Sequence, residues 1–185
     1  MHPVNLPHER STNGKKANAP RDDLIGEHAL TDIGQLVLAV LFFSAWTVDA
    51  VVLELTMFLE PYMPTAVCMP IAAFLFALSG SMAWASHRTI FGTRRETPHV
   101  VRTGFFRLTR HPMYLSEILL YLGFLLLGPS LIAAGVWLVT IGFLHCVART
   151  EERLLLERFA DDYAQYMKDV PMWIPRPRRR KQLNP

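Results

Sequence analysis

The chain has 185 residues, of which 51% are hydrophobic and 19% are charged, and its formal net charge is +3. The length indicates a single domain, and the positive mean hydropathy of +0.20 is unusual for a soluble protein with this charge content. Long apolar stretches alternate with strongly basic ones, which is typical of a polytopic membrane protein. No nucleic-acid partner is expected, because the stretches between the arginines are too apolar for a soluble basic domain.

The N-terminal residues 1–28 contain prolines, lysines and polar residues without an apolar run, which predicts a disordered tail. They are not a secretory signal, because the first hydrophobic stretch begins near Ile33 and is too long for a signal core. The first predicted membrane span covers residues 33–53, since about 20 helical residues cross the hydrocarbon core. A short acidic connector leads to a second predicted span over residues 66–86.

A basic segment over residues 87–111 separates the second and third apolar stretches. The third predicted helix, residues 112–128, is short for a full membrane crossing, and a tight turn leads into a fourth helix over residues 131–147. Residues 150–168 carry apolar side chains at helical spacing on one side, which predicts a C-terminal amphipathic helix. This helix lies on the membrane surface or forms a lid over a cofactor held against the loop before helix three.

The distribution of lysine and arginine predicts the orientation in the membrane. The N-terminal tail, the basic segment and the residues from Arg149 onward hold all of these residues, whereas the connector over residues 54–65 and the turn over residues 128–130 hold none. The positive-inside rule therefore places both termini in the cytosol. The expected fold is all-α, a polytopic membrane helical bundle of about four transmembrane helices plus a C-terminal amphipathic helix. The membrane domain covers residues 29–175, between the cytosolic tails 1–28 and 176–185, and the second tail is expected to contact anionic lipids.

Two polar clusters flank the predicted hairpin of helices three and four, at residues 100–114 and at Arg149-Thr150-Glu151-Glu152. Because a three-residue turn joins these helices, they are expected to be antiparallel neighbours whose cytosolic ends meet. His111 and Tyr114 are therefore predicted to lie near Arg149 and the two glutamates. Each motif alone has an ordinary explanation, such as a helix boundary or favourable charges at a helix start. Their occurrence around one hairpin favours a functional site.

Three further polar residues lie inside the predicted helices. Glu117 is one turn into helix three, where an intramembrane glutamate is a functional candidate; its alternative role is to reach back to the cytosolic interface. His145 and Cys146 precede Arg149 by one turn and are interpreted as packing residues. No metal is expected there, since a third converging ligand is missing.

The ordered motifs over residues 99–175 resemble the isoprenylcysteine carboxyl methyltransferase family and its phospholipid N-methyltransferase relatives. Members share L-V-T-x-G-x-Y-x-x-x-R-H-P-x-Y, a helical hairpin, a Glu-Glu pair, L-x-x-x-F-G-x-x-Y-x-x-Y and a closing V-P-x-x-I-P. The matching positions here are Val101, Gly104, Phe106, Arg110, His111, Pro112, Met113, Tyr114, Glu151, Glu152, Leu155, Phe159, Tyr163, Tyr166 and residues 170–175. The chain departs from the pattern at Phe106, where many relatives have tyrosine, and at Ala160, where glycine is usual.

The resemblance implies that S-adenosylmethionine is the methyl donor. Carboxylates can accept hydrogen bonds from its ribose or amino group, a glycine permits close backbone approach, and a proline at the helix start leaves the positive helix end open to an anionic group. The soluble methyltransferase fold is excluded, because the chain lacks a glycine-rich strand-to-helix motif and room for a Rossmann domain. The residues expected to bind the cofactor are His99, Val100, Val101, Gly104, Phe106, His111, Pro112, Met113, Tyr114, Glu151 and Glu152.

Arg149 and Glu117 are the expected catalytic residues. A carboxylate acceptor needs no base, and Arg149 can position it by paired hydrogen bonds; an amine or thiol must lose a proton, to Glu117 or His111. The expected acceptor is amphipathic, enters from the bilayer lipids and is most like an isoprenylcysteine carboxyl group. The alternatives are a phospholipid amine or small-thiol methyltransferase, a sterol-type membrane reductase, and a scaffold without activity. The sequence specifies neither the acceptor nor the oligomeric state.

Overall fold

In the part of the chain that the computed structural model describes, all regular secondary structure is helical. The described backbone covers residues 25–57, 59–91 and 100–174, and the described side chains cover residues 31–57, 59–90 and 100–174. Within these ranges there is no β-strand, so the predicted all-α fold is confirmed. His99, the C-terminal tail and most of the predicted N-terminal tail lie outside the described residues. The first helix begins at Ile25, so residues 25–28 of the predicted tail are helical.

Four α-helices form the described bundle. They are α1 (Ile25–Thr47), α2 (Thr65–Phe91), α3 (Pro112–Leu127) and α4 (Leu131–Asp169), with a π-helical turn at Val48–Leu53 and 3₁₀ turns at Glu60–Tyr62 and Gly104–Arg107. By length and composition, α1 with its π-helical turn, α2 and α4 are long and apolar enough to cross a membrane. Helix α3 has 16 residues, about 24 Å of helix, and is shorter than the hydrocarbon core of about 30 Å.

Aromatic packing joins α1 to α3. The Phe42 ring, which is fully buried, stacks on the Tyr121 ring with centroids 4.2 Å apart. The Trp46 indole N–H donates to the carbonyls of Phe124 at 3.0 Å and Gly128 at 3.1 Å. A Cβ added at Gly128 would approach the Ala50 Cβ to 2.9 Å and Trp46 Nε1 to 3.1 Å. Van der Waals packing and interhelical hydrogen bonds of this kind hold membrane helices together.

A buried carboxylate ties the connector after α1 to the turn before α4. Asp49 lies in the π-helical turn and is 1% exposed. Its carboxylate accepts hydrogen bonds from the Ser130 hydroxyl at 2.5 Å, from the Thr56 amide at 3.0 Å and from the Thr56 hydroxyl. These donors compensate for the cost of burying a charge. The connector and the turn therefore lie at the same end of the bundle, as the topology prediction requires.

Helices α2 and α3 pack closely along their length. The buried Ser79 hydroxyl donates to the Ser116 carbonyl at 2.7 Å. Gly123 lies against the Phe76 ring, which an added Cβ would approach to 2.5 Å. Small residues at these positions allow the two backbones to approach. This packing holds the start of α3 in place at the opposite end from Asp49.

The predicted boundary between the fourth helix and a separate amphipathic helix is wrong in position. Helix α4 continues to Asp169, and its one non-helical residue is Ala160, with φ 41° and ψ −118°. The prediction placed the division near residues 147–150, but no glycine or proline follows Gly142 until Pro171, so nothing there ends the helix. Consequently Glu151 and Glu152 lie on a direct extension of the apolar part of α4, and Ala160 redirects only the last turns.

Candidate active site

The N-terminal end of α3 positions the first half of the site. Pro112 is the first helical residue and His111 precedes it, because a proline ring sets φ near the helical value at a position that has no amide hydrogen bond to lose. Tyr114 lies three residues after His111, so both rings reach the same side of this turn. The rings stack with centroids 5.6 Å apart and an interplanar angle of 6°.

The glutamate pair on α4 meets these two rings directly. The Tyr114 hydroxyl donates to Glu151 Oε1 at 2.5 Å. His111 Nε2 lies 3.1 Å from Glu152 Oε1, and His111 Nδ1 lies 3.6 Å from Glu151 Oε2. The predicted meeting of the two motifs across the hairpin is therefore confirmed for both glutamates. Both imidazole nitrogens of His111 face carboxylates, so this ring joins the pair together.

The two glutamates have different surroundings. The Glu152 side chain is 9% exposed, and its Oε1 also forms an ion pair with Arg110 Nε at 3.0 Å, although the N–H is not aligned as a hydrogen bond. The Glu151 side chain is 29% exposed. A buried charge requires partners of opposite sign, and Glu152 Oε1 is contacted by both Arg110 Nε and His111 Nε2. Glu152 is therefore internal to the structure, whereas Glu151 presents a carboxylate at the surface of the site.

The residues on both sides of Ala160 pack against the loop that precedes α3 and hold it in place. The predicted apolar side of the amphipathic helix packs on this loop around the buried Val100, which confirms its periodicity and is the packing that the lid interpretation requires. The packed residues are Leu155, Leu156, Phe159, Tyr163, Tyr166, Met167 and Val170. Three hydrogen bonds add to this packing: the Tyr166 hydroxyl donates to the Phe106 carbonyl at 2.7 Å, the Thr109 hydroxyl to the Met172 carbonyl at 2.6 Å, and the Arg110 amide to the Pro171 carbonyl at 3.1 Å. Arg102 also forms an ion pair with Asp162 at 2.6 Å.

Two tyrosines of this segment are neutral hydrogen-bonding groups. Burial raises the pKa of Tyr166 to about 12, against the opposing effect of the nearby Arg110 and Arg102. Burial also raises the pKa of Tyr163, and the Glu152 charge adds to the increase. Because a buried phenol resists ionisation, the Tyr166 hydroxyl remains a donor to the Phe106 carbonyl well above neutral pH.

Gly104 begins the 3₁₀ turn of the loop, and its backbone requires glycine. Its φ is +60°, in the left-handed region that other residues rarely adopt. An added Cβ would make only an ordinary contact, 3.7 Å from the Thr89 hydroxyl. The conformation of the loop therefore explains this glycine, and the expected close approach to a cofactor stays a prediction.

The two residues predicted as catalytic form no ion pair or side-chain hydrogen bond with the carboxylate cluster within the described part of the chain. Arg149 is exposed, and among the described residues its side chain forms no ion pair or hydrogen bond, so its predicted proximity to His111 is not supported by a contact. Glu117 is half-buried within α3, and its Oε1 accepts a hydrogen bond from the Tyr121 hydroxyl at 2.8 Å. The other predicted cofactor-binding residues differ in exposure: Pro112 is buried, Val101 and Phe106 are half-buried, and Met113 is exposed.

Sequence reasoning missed a contact between α4 and the end of the chain. The Trp173 indole N–H donates to His145 Nδ1 at 3.2 Å, and the Trp173 ring lies 6.0 Å from the His111 ring and 6.2 Å from the His145 ring. The interpretation of His145 and Cys146 as packing residues is therefore wrong: His145 is half-buried and hydrogen-bonded, and Cys146 is exposed. Because the two residues are consecutive in a helix, their side chains project in directions about 100° apart. The predicted helix boundary near residue 150 left the path of the following chain undefined, so the contact with Trp173 was not predicted.

An apolar helical bundle with a buried polar cluster at the end of a hairpin defines an integral membrane protein with a candidate active site. Residues 62–162, more than half of the chain, match the phospholipid methyltransferase family. The chain belongs to this family. The matched region includes the hairpin and the glutamate pair, and it ends just after Ala160.

Curated relatives resemble the chain over about half of its length. A protein-S-isoprenylcysteine O-methyltransferase of Saccharomyces cerevisiae is 34% identical over 89 residues, 46% of this chain and 37% of the relative. A protein of the same name from Schizosaccharomyces pombe is 35% identical over 95 residues, 50% of this chain and 40% of the relative. The cobalt-zinc-cadmium resistance protein CzcN of Cupriavidus metallidurans is 31% identical over 83 residues, 44% of this chain and 38% of the relative. The matched segments thus span about two fifths of these relatives.

Proposed function

We propose that the chain is an integral membrane methyltransferase that uses S-adenosylmethionine and methylates the carboxyl group of an amphipathic, lipid-like acceptor. The observation that most supports this function is the direct contact of His111 and Tyr114 with the Glu151-Glu152 pair across the hairpin. Membership of the phospholipid methyltransferase family supports methyl transfer. The names of the two fungal relatives support a carboxyl acceptor.

The exposed groups of the site fit the donor. S-adenosylmethionine, when bound, supplies an electrophilic methyl carbon on a positively charged sulfur, and its ammonium and ribose hydroxyls require acceptors. Glu151 provides one, because Tyr114 occupies only its Oε1 and the side chain is partly exposed. Tyr114, Gly104 and the first turn of α3 would complete the binding surface with Val101, Phe106 and Met113. We assign Glu152 a positioning role, since it contacts Arg110 and His111 inside the structure.

Binding and orientation are the main tasks of this chain in methyl transfer to a carboxylate. The acceptor oxygen is already ionised, so it needs no base, and alignment with the methyl carbon and exclusion of water account for the rate. Arg149 is exposed at the site end of the apolar part of α4. Its planar guanidinium can hold a carboxylate by two hydrogen bonds, while the lipid part of the acceptor remains in the bilayer.

A lipid amine is the second candidate acceptor, and Glu117 is the observation that favours it. The Glu117 carboxylate lies one turn beyond Tyr114 on α3 and is held by the Tyr121 hydroxyl. A carboxylate at membrane depth can attract a protonated amine and accept its proton before methyl transfer. His111 is less suited to this task, because both of its ring nitrogens already face glutamates.

We further propose that both termini and the site are cytosolic. The site lies at the end of the bundle where the arginine-rich segment 87–111 joins α2 to α3. The opposite end holds Asp49 and the turn at Ser130, and neither the connector nor this turn contains lysine or arginine. The positive-inside rule favours this orientation. Reporter fusions after residue 185 and within residues 54–65 should report opposite sides of the membrane.

Calorimetric binding of S-adenosylhomocysteine to detergent-purified protein tests the proposed function. We expect micromolar binding to the parent chain and a loss of at least about tenfold in affinity for Glu151→Gln, which removes a charge-assisted hydrogen bond. Trp137→Phe is a matched control, because it removes an indole hydrogen bond to the Ile118 carbonyl far from the glutamates. No binding to folded parent protein would refute the proposal.

Turnover measurements separate the remaining alternatives. Labelled methyl transfer should occur to N-acetyl-S-farnesylcysteine, and transfer to phosphatidylethanolamine alone would support the amine candidate. Nicotinamide-dependent reduction without S-adenosylhomocysteine binding would support a sterol-type reductase. A scaffold would bind neither cofactor and would tolerate Glu151→Gln without loss of its activity in cells.

A further inference from the structure

The contact between Trp173 and His145 determines where the proton of the His145 ring lies. An indole N–H is a donor only, and it points at His145 Nδ1 from 3.2 Å. Nδ1 must therefore accept, which places the proton of the neutral imidazole on Nε2. The opposite edge of the His145 ring is consequently a fixed hydrogen-bond donor.

Arg149 continues the same side of α4. It follows His145 by four residues within unbroken helix, and side chains at this spacing are neighbours on a helix surface. Arg149 is exposed, with no ion pair among the described residues. Two donors, one neutral and one charged, therefore lie one turn apart, and neither has an acceptor within the part of the chain that the structure describes.

Trp173 also connects this pair of donors to the carboxylate cluster. The centroid of its ring lies 6.0 Å from that of His111 and 6.2 Å from that of His145. One indole is therefore a neighbour of both the site residue His111 and His145. The donors on α4 border the site on the side where the helix becomes apolar and enters the predicted membrane span.

We propose that His145 and Arg149 form the subsite that binds the carboxylate of the methyl acceptor, and that Trp173 positions the His145 ring. This inference rests on the proposed function and narrows its substrate class. The subsite offers donors and a positive charge, which attract a carboxylate and repel a protonated amine. Glu151 and Glu152 contact the nitrogens of the His111 ring, whereas neither side chain forms an ion pair or hydrogen bond with His145 or Arg149 among the described residues.

The reaction at this subsite balances without proton transfer. A carboxylate oxygen forms the bond to the methyl carbon, and the electron pair of the broken sulfur–carbon bond returns to sulfur, so the sulfonium becomes a neutral thioether. The negative charge of the acceptor is consumed when the ester forms. The ester product therefore loses its attraction to Arg149, which favours its release, and His145 does not change protonation state.

Kinetics with N-acetyl-S-farnesylcysteine test the subsite on the full chain in lipid nanodiscs. His145→Leu should raise KM at least about tenfold, because a hydrogen bond to a charged group is lost, while S-adenosylhomocysteine affinity stays at the parent value. His145→Gln keeps an N–H donor and should restore most of the affinity. Trp173→Phe keeps an aromatic ring but removes the indole N–H donor, so it should raise KM less than His145→Leu does. Trp137→Phe should behave like the parent chain.

The outcomes of the two proposals are distinguishable. An active parent chain whose KM is unchanged by both His145→Leu and Trp173→Phe overturns the subsite and leaves the methyltransferase function intact. An active parent chain that methylates only phosphatidylethanolamine also overturns it. A folded parent chain without S-adenosylhomocysteine binding and without methyl transfer overturns the proposed function itself.

Discussion

Replacing Ala160 by glycine should stabilise the protein, although the same change in most helical positions is destabilising. Ala160 has φ 41° and ψ −118°, a combination that costs a residue with a Cβ about 1–3 kcal/mol. Glycine removes this strain, but it increases the conformational entropy of the unfolded chain, which lowers the free energy of unfolding by about 0.4–1 kcal/mol. The expected net gain in the free energy of unfolding is therefore about 0.5–2 kcal/mol. Members of the resembling family usually have glycine here, which agrees with this balance.

Thermal unfolding in one detergent and at one scan rate measures the effect. For a chain of this size, 1 kcal/mol corresponds to about 2–4 °C in Tm, so Ala160→Gly should raise the apparent Tm by a few degrees. Ala164→Gly is the matched control, because Ala164 lies four residues later in regular helix. Glycine there should lower the free energy of unfolding by about 1 kcal/mol.

If Ala160→Gly and Ala164→Gly lower Tm by the same amount, the inference that the Ala160 backbone is strained is refuted. That result means that Ala160 is helical in solution and that α4 continues straight. The contacts of Tyr166, Thr109 and Arg110 with the opposite segment then cannot form as described. Affinity for S-adenosylhomocysteine gives an independent check, since Ala160→Gly preserves the break and should leave binding unchanged.

Other substitutions separate stability from binding within the site. Glu152→Ala should lower the free energy of unfolding by about 3–5 kcal/mol, because it leaves a buried cation unpaired. Glu151→Ala should lower it by about 1 kcal/mol or less but abolish cofactor binding. Chemical unfolding measures the first difference, and calorimetry measures the second. Tyr166→Phe should cost about 1–3 kcal/mol by leaving the Phe106 carbonyl without its donor. Because the pKa of Tyr166 is raised from 10.0 to about 12, its contribution is complete below pH 10 and is lost as the pH rises through 12. Tm measured between pH 10 and 12 should therefore fall less in Tyr166→Phe than in the parent chain.

Local sequence determined the fold class and the meeting of the two motifs. Apolar stretches of membrane length require helices, because backbone groups in lipid must pair within their own segment. The three-residue turn at Gly128-Pro129-Ser130 leaves α3 and α4 no arrangement other than an antiparallel hairpin. His111 and Tyr114 were therefore expected beside the glutamate pair, and they contact it.

Tertiary structure decided which role each of these side chains has. Glu151 and Glu152 are adjacent residues of the same type, and the packing of Arg110 and His111 against Glu152 makes that residue internal while Glu151 stays partly exposed. The Trp173–His145 hydrogen bond depends on the direction that the chain takes after Ala160. Local patterns report periodicity and turn length, which act over a few residues. Burial, histidine tautomer and ion pairing depend on contacts between segments that are far apart in the chain. These contacts form only when the helices pack.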